Sequence, residues 1–455
     1  MQFRVLYDII KKDGDLPYGI FQERKGDGLK KIYSVLLVVL ILVCPLLQSC
    51  TDAVKGLDGF VNSPYAAADA FGRLDPWRIL DGKEGVYSVK VNNVFTNADD
   101  DFKEKYFPAE ISALGAYSPS DGALMLEFEG QFFDKSETFG ISLGPDGGLM
   151  LNGGAYSYRP EKLFEDLRGI YTRLLEKLEE NTSQEDYATY PSSLDDGTGD
   201  TDCTEIRLTL KGDRARDALD AVFSSIGKDE NAVSCLTEAI NLKRLLCGKN
   251  GVTRAYVEEL LAQRGDVDWV RIIKDGKIIS ERISLAGYEM SSRYLLTPSG
   301  AEYTLLFKKD GSELLGITYV YNSGTKDTAK LLITMPDEEY NTVLMYESNS
   351  RHVMKSGSVM TDITLRRGSE TVIGLYYGMT YKENAGVYTL DAEGYIKRMN
   401  ESVKFTSDAE ITRSEGDVFP VPEGYTDKGE IKNAAEMLEK IKNDAPVLWG
   451  FIRGE

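Results

Sequence analysis

The chain has 455 residues, 42% of them hydrophobic and 28% charged, a globular balance that allows two or three domains with a sizeable core and excludes global disorder. Its formal net charge is −20, and it stays acidic without its first 49 residues. Such a surface repels phosphate backbones and anionic headgroups, which excludes nucleic acid as a partner.

Residues 1–28 are polar and charged, interrupted by Gly14, Asp15 and Pro17, and do not have the composition of a signal n-region. A signal starting near Leu29 has ordinary proportions, so residues 1–28 are expected to be dispensable, a cytoplasmic extension being the alternative. Lys30 and Lys31 precede an apolar run of 16 residues, Ile32 to Leu47. A bilayer-spanning helix needs roughly 20. A basic flank followed by a short apolar core is the order of a secretory signal, and Pro45 favours the extended backbone a peptidase requires.

The run closes on Leu47-Gln48-Ser49-Cys50. This resembles the lipobox of bacterial lipoprotein signal peptides: an aliphatic residue three places before the cysteine, a small residue just before it, then the cysteine. Gln48 departs from the stricter pattern, which has a small or β-branched residue there. The resemblance implies cleavage before Cys50, thioether lipidation of Cys50 and acylation of the new amino terminus. The partner implied is a membrane, reached through that lipid anchor in the cell envelope, at the outer membrane or cell surface.

Residues 50–75, with Gly56, Gly59 and Ala66 to Ala68, read as a lipidated tether. Alternating runs at Gly85–Val91, Ala123–Glu129, Phe139–Leu143 and Gly148–Leu151, joined by Gly/Asp turns, predict antiparallel hairpins. Pro160 opens a helix whose Leu163, Leu167, Ile170, Leu174 and Leu178 form one apolar stripe. The β-rich region 76–180 therefore ends in an amphipathic helix. Residues 181–203, rich in Ser, Thr, Asp and Gly, read as an exposed acidic loop.

Glu205–Leu210 alternates like a strand. Three helices follow, bracketed by Asp213 and Gly227, Asn231 and Gly248, and Thr253 and Gly265. Residues 204–265 thus form a helical subdomain. From 266 to 411 the chain returns to strands, with turn signals at Lys274–Lys277, Lys309–Ser312, Arg367–Ser369 and Asp391–Gly394. A C-terminal segment, 412–455, carries one more amphipathic helix through Ile431, Ala435, Leu438 and Ile441. The expected fold class is α+β: antiparallel β-rich meander domains, open or closed into a lipocalin-like barrel, with a helical insertion. The texture resembles the multi-domain surface lipoproteins of Bacteroidetes, a resemblance from which no functional residue is carried over.

Chemistry is sparse. The chain has one histidine, His352, so no two-histidine metal site can form, and any Ser-His-Asp triad or cysteine nucleophile would have to use it. His352 follows Ser348-Asn349-Ser350-Arg351, a polar stretch expected to be a loop. No Gly-x-Ser-x-Gly elbow or phosphate-binding glycine loop occurs. Asp195 to Asp202 with Glu205 gathers oxygen ligands without EF-hand spacing, and flexible acidic linker is favoured over calcium site. Asp99-Asp100-Asp101 reads as a solvated run. Cys203, Cys235 and Cys247 allow one disulfide, which would use Cys203, or three buried thiols. Neither catalytic residues nor a cofactor or metal site is assigned. The 26 tyrosines suit strand packing and also glycan surfaces. The sequence therefore favours a non-enzymatic module binding a glycan or small molecule. The alternatives are a glycoside hydrolase using a carboxylate pair and a structural component of an envelope complex.

Overall fold

The computed structural model describes residues 85–97, 106–118, 123–143, 148–152, 154–157, 162–195, 197, 199–247, 249, 251–336, 340–353, 355–398, 401–414, 426–430, 440 and 442–453. Cys50, the signal, the tether, Asp99–Asp101 and the stripe Ile431–Leu438 lie outside them. The strands, in chain order, are β1 (Tyr87–Asn97), β2 (Ala109–Ser118), β3 (Ala123–Phe132), β4 (Lys135–Leu143), β5 (Gly148–Leu151) and β6 (Gly154–Ser157). After helix α1 (Lys162–Asn181) come β7 (Tyr187–Asp195) and β8 (Asp200–Leu210), then α2 (Gly212–Gly227), α3 (Glu230–Leu246) and α4 (Arg254–Leu261). Ten hairpin-linked strands continue the chain: β9 (Val267–Lys274), β10 (Lys277–Leu285), β11 (Tyr288–Thr297), β12 (Gly300–Lys309), β13 (Ser312–Asn322), β14 (Asp327–Pro336), β15 (Asn341–Val353), β16 (Ser356–Arg367), β17 (Glu370–Asn384) and β18 (Val387–Arg398). β19 (Glu401–Arg413), β20 (Thr426–Glu430) and α5 (Pro446–Arg453) complete it.

All 20 strands belong to one sheet. Two antiparallel meanders, β1 to β6 and β7 to β19, are joined because β1 pairs with both β2 and β19. The only parallel pair among the described residues is β20 on β6. This overturns the expected α+β arrangement of separate β domains, or a lipocalin-like barrel, around a helical insertion. The sheet passes without a break through both β segments, and helices α1 to α4 pack on it. Among the described residues β7 pairs only with β8, so no ladder closes the sheet into a barrel. The signal missed was the β1–β19 pairing, a contact between residues more than 300 positions apart.

The connection between the meanders constrains the sheet's shape. β6 lies near one edge and β7 forms the other, with α1 between them in sequence. Nineteen flat strands would span about 85 Å, whereas a 20-residue helix reaches about 30 Å. Even with extended flanks the link is too short, so the sheet must coil, as accumulated strand twist allows.

Strand alternation sorts the two faces. On one, the cross-strand row Tyr303, Tyr319, Leu331, Tyr346, Ile363, Leu375 enters the main core. There it meets Leu167, Ile170, Tyr171, Leu174 and Leu178 of α1 and the apolar sides of α2 to α4. On the other face the neighbouring row reads Glu302, Val320, Lys330, Glu347, Asp362, Tyr376, Tyr395, Lys404. Lys330 and Glu347 pair at 3.6 Å. A lipid-facing strand surface would need an apolar band there. No described helix is long and apolar enough to cross a membrane.

Smaller clusters lie where the two meanders meet, drawing on β1 to β3 and on β16 to β19. One gathers Tyr87, Val359, Met379, Tyr381 and Leu390; another gathers Tyr106, Phe132 and Val403 under Val447 and Leu448 of α5. Glu137 caps α5, accepting the Val447 and Leu448 N–H groups at 3.1 and 2.7 Å.

Three local expectations are corrected. The acidic loop over 181–203 is the hairpin β7–β8, built from Ser, Thr, Asp and Pro because β7 is an edge strand with only Tyr187 buried. Asp391–Gly394 lies within β18; the turn is at Ala385-Gly386, where both φ are positive, as a type I′ hairpin requires. His352 is in strand β15, opposite Gly357, rather than in a loop.

Candidate functional site

The antiparallel register brings one polar residue from each of five strands into line on the open face. Thr209 of β8 pairs with Asp268 of β9, Asp268 with Ser284 of β10, Ser284 with Glu289 of β11, and Glu289 with Lys308 of β12. With Arg207, Lys211 and Asp266 they line an open groove of about 980 Å³. Its end wall is two touching hairpin turns, Ala286-Gly287 and Asp310-Gly311. The Asp310 N–H donates to the Gly287 carbonyl at 2.9 Å. Gly287 has φ +81°, a conformation that disfavours any side chain, and a Cβ there would fall 2.5 Å from an Asp310 carboxylate oxygen, which would have to move. Beside it, the Lys309 ammonium lies 3.7 Å from the Tyr288 ring centroid and donates to the Ala286 carbonyl at 2.6 Å.

Charges in the groove are partly committed. Asp268 pairs with Arg282 at 3.3 Å and with Arg207 at 3.9 Å. Asp266 accepts the Gly212 N–H at the start of α2 at 2.9 Å. Among the described residues, Lys211, Lys308 and Glu289 have neither an ion pair nor a side-chain hydrogen bond. The arrangement offers donors and acceptors along a line, with no nucleophile–base pair.

A second polar cluster lies beneath the sheet. Arg271 and Glu281, opposite each other on β9 and β10, are both fully buried. Glu281 Oε1 accepts from Arg271 Nε and Trp269 Nε1, each at 2.7 Å, and Arg271 Nη2 donates to the Tyr171 hydroxyl at 2.6 Å. The Arg271 guanidinium also sits 4.8 Å from the Trp269 ring centroid. Burial, reinforced by Glu281, raises the pKa of nearby Tyr303. With no access to solvent, the cluster ties α1 to the sheet and is unsuited to chemistry on a ligand.

The other sequence candidates are not brought together. Cys203, Cys235 and Cys247 are free and buried, so the alternative of a disulfide through Cys203 is not realised. Burial pushes the Cys235 thiol up to about 12, the opposite of nucleophile activation. Asp195 accepts the Gly197 and Gly199 N–H groups at 2.9 and 3.3 Å, closing a hairpin turn. Among the described residues no group of three His, Cys, Asp or Glu side chains is placed to hold a metal.

No protein-family model matches the sequence, and no curated protein matches it. Among solved structures, the translocator domain of autotransporter NalP from Neisseria meningitidis aligns at 8% identity, covering 72% of this chain and 89% of that one, with a TM-score of 0.20. Salmonella typhi OmpF in complex with daunomycin gives 7% identity, coverages of 72% and 96%, and a TM-score of 0.23. The CymD monoaromatic hydrocarbon channel gives 9% identity, coverages of 76% and 94%, and a TM-score of 0.19. Matches this shallow carry no argument about activity or partner.

Proposed function

We propose that this is a lipid-anchored protein of the bacterial cell envelope, held at the outer membrane or cell surface through Cys50, whose groove binds a saccharide without catalysis. The anchor rests on the basic flank, short apolar core and Leu47-Gln48-Ser49-Cys50 order. The observation that carries binding is the row Thr209, Asp268, Ser284, Glu289, Lys308. It lines up hydrogen-bonding groups on an open surface whose reverse side is core. A hydroxyl-rich chain matches such alternating donors and acceptors. Palmitate labelling should mark the wild type and not Cys50→Ala; equal labelling overturns the anchor. The full-length protein in detergent micelles should bind immobilised saccharides, and Ser284→Trp, which fills the groove from the open face, should abolish that binding. Retained binding by Ser284→Trp overturns the site.

One observation favours a second reading, a glycoside hydrolase. Asp268 and Glu289 occupy the same row two strand spacings apart, about 10 Å between backbones, near the separation of inverting carboxylate pairs. Release of reducing ends from a bound saccharide, lost in Glu289→Gln, would establish it.

A further inference from the structure

The groove's uncommitted charges point to a class of ligand. Lys211 follows β8 and Lys308 lies on β12, four strand spacings apart, about 19 Å, with the Ser284 hydroxyl between them and that of Thr209 beside Lys211 at the β8 end. Of the carboxylates, Asp268 is taken by Arg282 and Arg207, and Asp266 by the Gly212 N–H. Among the described residues Glu289, opposite Lys308, has no ion pair or side-chain hydrogen bond. Two unpaired ammonium groups at the ends of a hydroxyl-lined groove are unexpected in a chain of net charge −20.

We infer that the groove selects acidic over neutral saccharides, Lys211 and Lys308 taking ligand carboxylates while Thr209 and Ser284 take ligand hydroxyls; this rests on the saccharide-binding reading above. Lysine-to-carboxylate hydrogen bonds are charge-assisted and roughly twice as strong as neutral ones. Glu289 works against such a ligand and sets the affinity below what the lysines alone would give.

The test is calorimetric titration of the full-length protein in detergent micelles with two probes of equal length, an α-1,4-linked galacturonic acid tetramer and the corresponding galactose tetramer. The acidic tetramer should bind at least about tenfold more tightly, and salt should weaken it. Lys211→Gln and Lys308→Gln should each lose about fivefold to tenfold for the acidic tetramer and clearly less for the neutral one, narrowing the ratio between the two. Glu289→Gln should gain about threefold to tenfold, an improvement that a misfolded variant could not produce. Equal binding of both tetramers overturns the charge selection and leaves the saccharide reading standing. Binding of neither overturns both. Loss of affinity in Glu289→Gln overturns the role given to that residue.

Discussion

Arg271 and Glu281 face each other across β9 and β10 with both side chains sealed from water, and the Nε–Oε1 distance is 2.7 Å. Desolvating the two ions costs several kcal/mol each, which their attraction repays only with further hydrogen bonds. Trp269 and Tyr171 supply those bonds. Breaking the pair strands one ion, whereas removing both ions does not. Arg271→Met should therefore destabilise by about 3–5 kcal/mol, and Arg271→Met with Glu281→Leu by clearly less. Guanidinium unfolding of wild type, Arg271→Met, Glu281→Leu and the double variant checks this. A double variant as unstable as the sum of the single losses would show that the cluster is not an ion pair in energetic terms.

Alkaline pH should weaken the fold through Cys235 and Tyr187. Burial pushes both up to about 12, from 9.0 and 10.0 respectively. Below pH 9 both states hold these protons and their contribution is fully present. Above it the unfolded chain releases protons that the folded chain keeps, so stability falls as pH rises toward 12. Each group costs about tenfold in the unfolding constant per pH unit inside its window. Cys235→Ala should lose less stability than wild type between pH 9 and 11, and the native thiol should resist thiol reagents at pH 8. An unchanged slope in Cys235→Ala would contradict the assignment.

Pro191 protects the exposed edge of the sheet. β7 pairs with β8 alone among the described residues, and Pro191, opposite Thr204, has no N–H to offer a further strand. Tyr190 beside it is half exposed. Pro191→Thr restores the donor and should promote edge-to-edge association without loss of thermal stability. Light scattering against protein concentration reads the effect; a variant as monodisperse as wild type would show that the edge is guarded otherwise.

A soluble form starting at Thr51 should fold unaided, because the core between α1 to α4 and the sheet is built within the body. Circular dichroism should show a strand-dominated spectrum and a cooperative melt without detergent. Detergent dependence would favour a component that needs an envelope partner.

Much of the local structure was legible. The stripe from Leu167 to Leu178, the approximate bounds of α2 to α4 and the Asp-Gly turns at 275–276 and 310–311 are encoded within a few residues, although α2 is capped by Lys211 and Lys228 rather than by Asp213 and Gly227. The turn at Ala286-Gly287 was not, because alanine rarely accepts the positive φ it has there. Nor was β7, whose edge position demands no apolar alternation. Arg271 lies inward beside Trp269 on β9, an inward charge not singled out by the alternation of Val267–Arg271. Its partner Glu281 could be named only once the register was known. The groove was invisible for the same reason: it takes one residue from each of five strands, and every one looks like an ordinary solvent-side position.

The most direct test of the account is hydrogen–deuterium exchange on the full-length protein in micelles, with and without the galacturonic acid tetramer. Protection should be confined to the segments that build the groove, 205–211, 266–270, 282–289 and 306–311. Binding with protection centred on the open face of β16 to β19, or spread with no focus on β8 to β12, would contradict it.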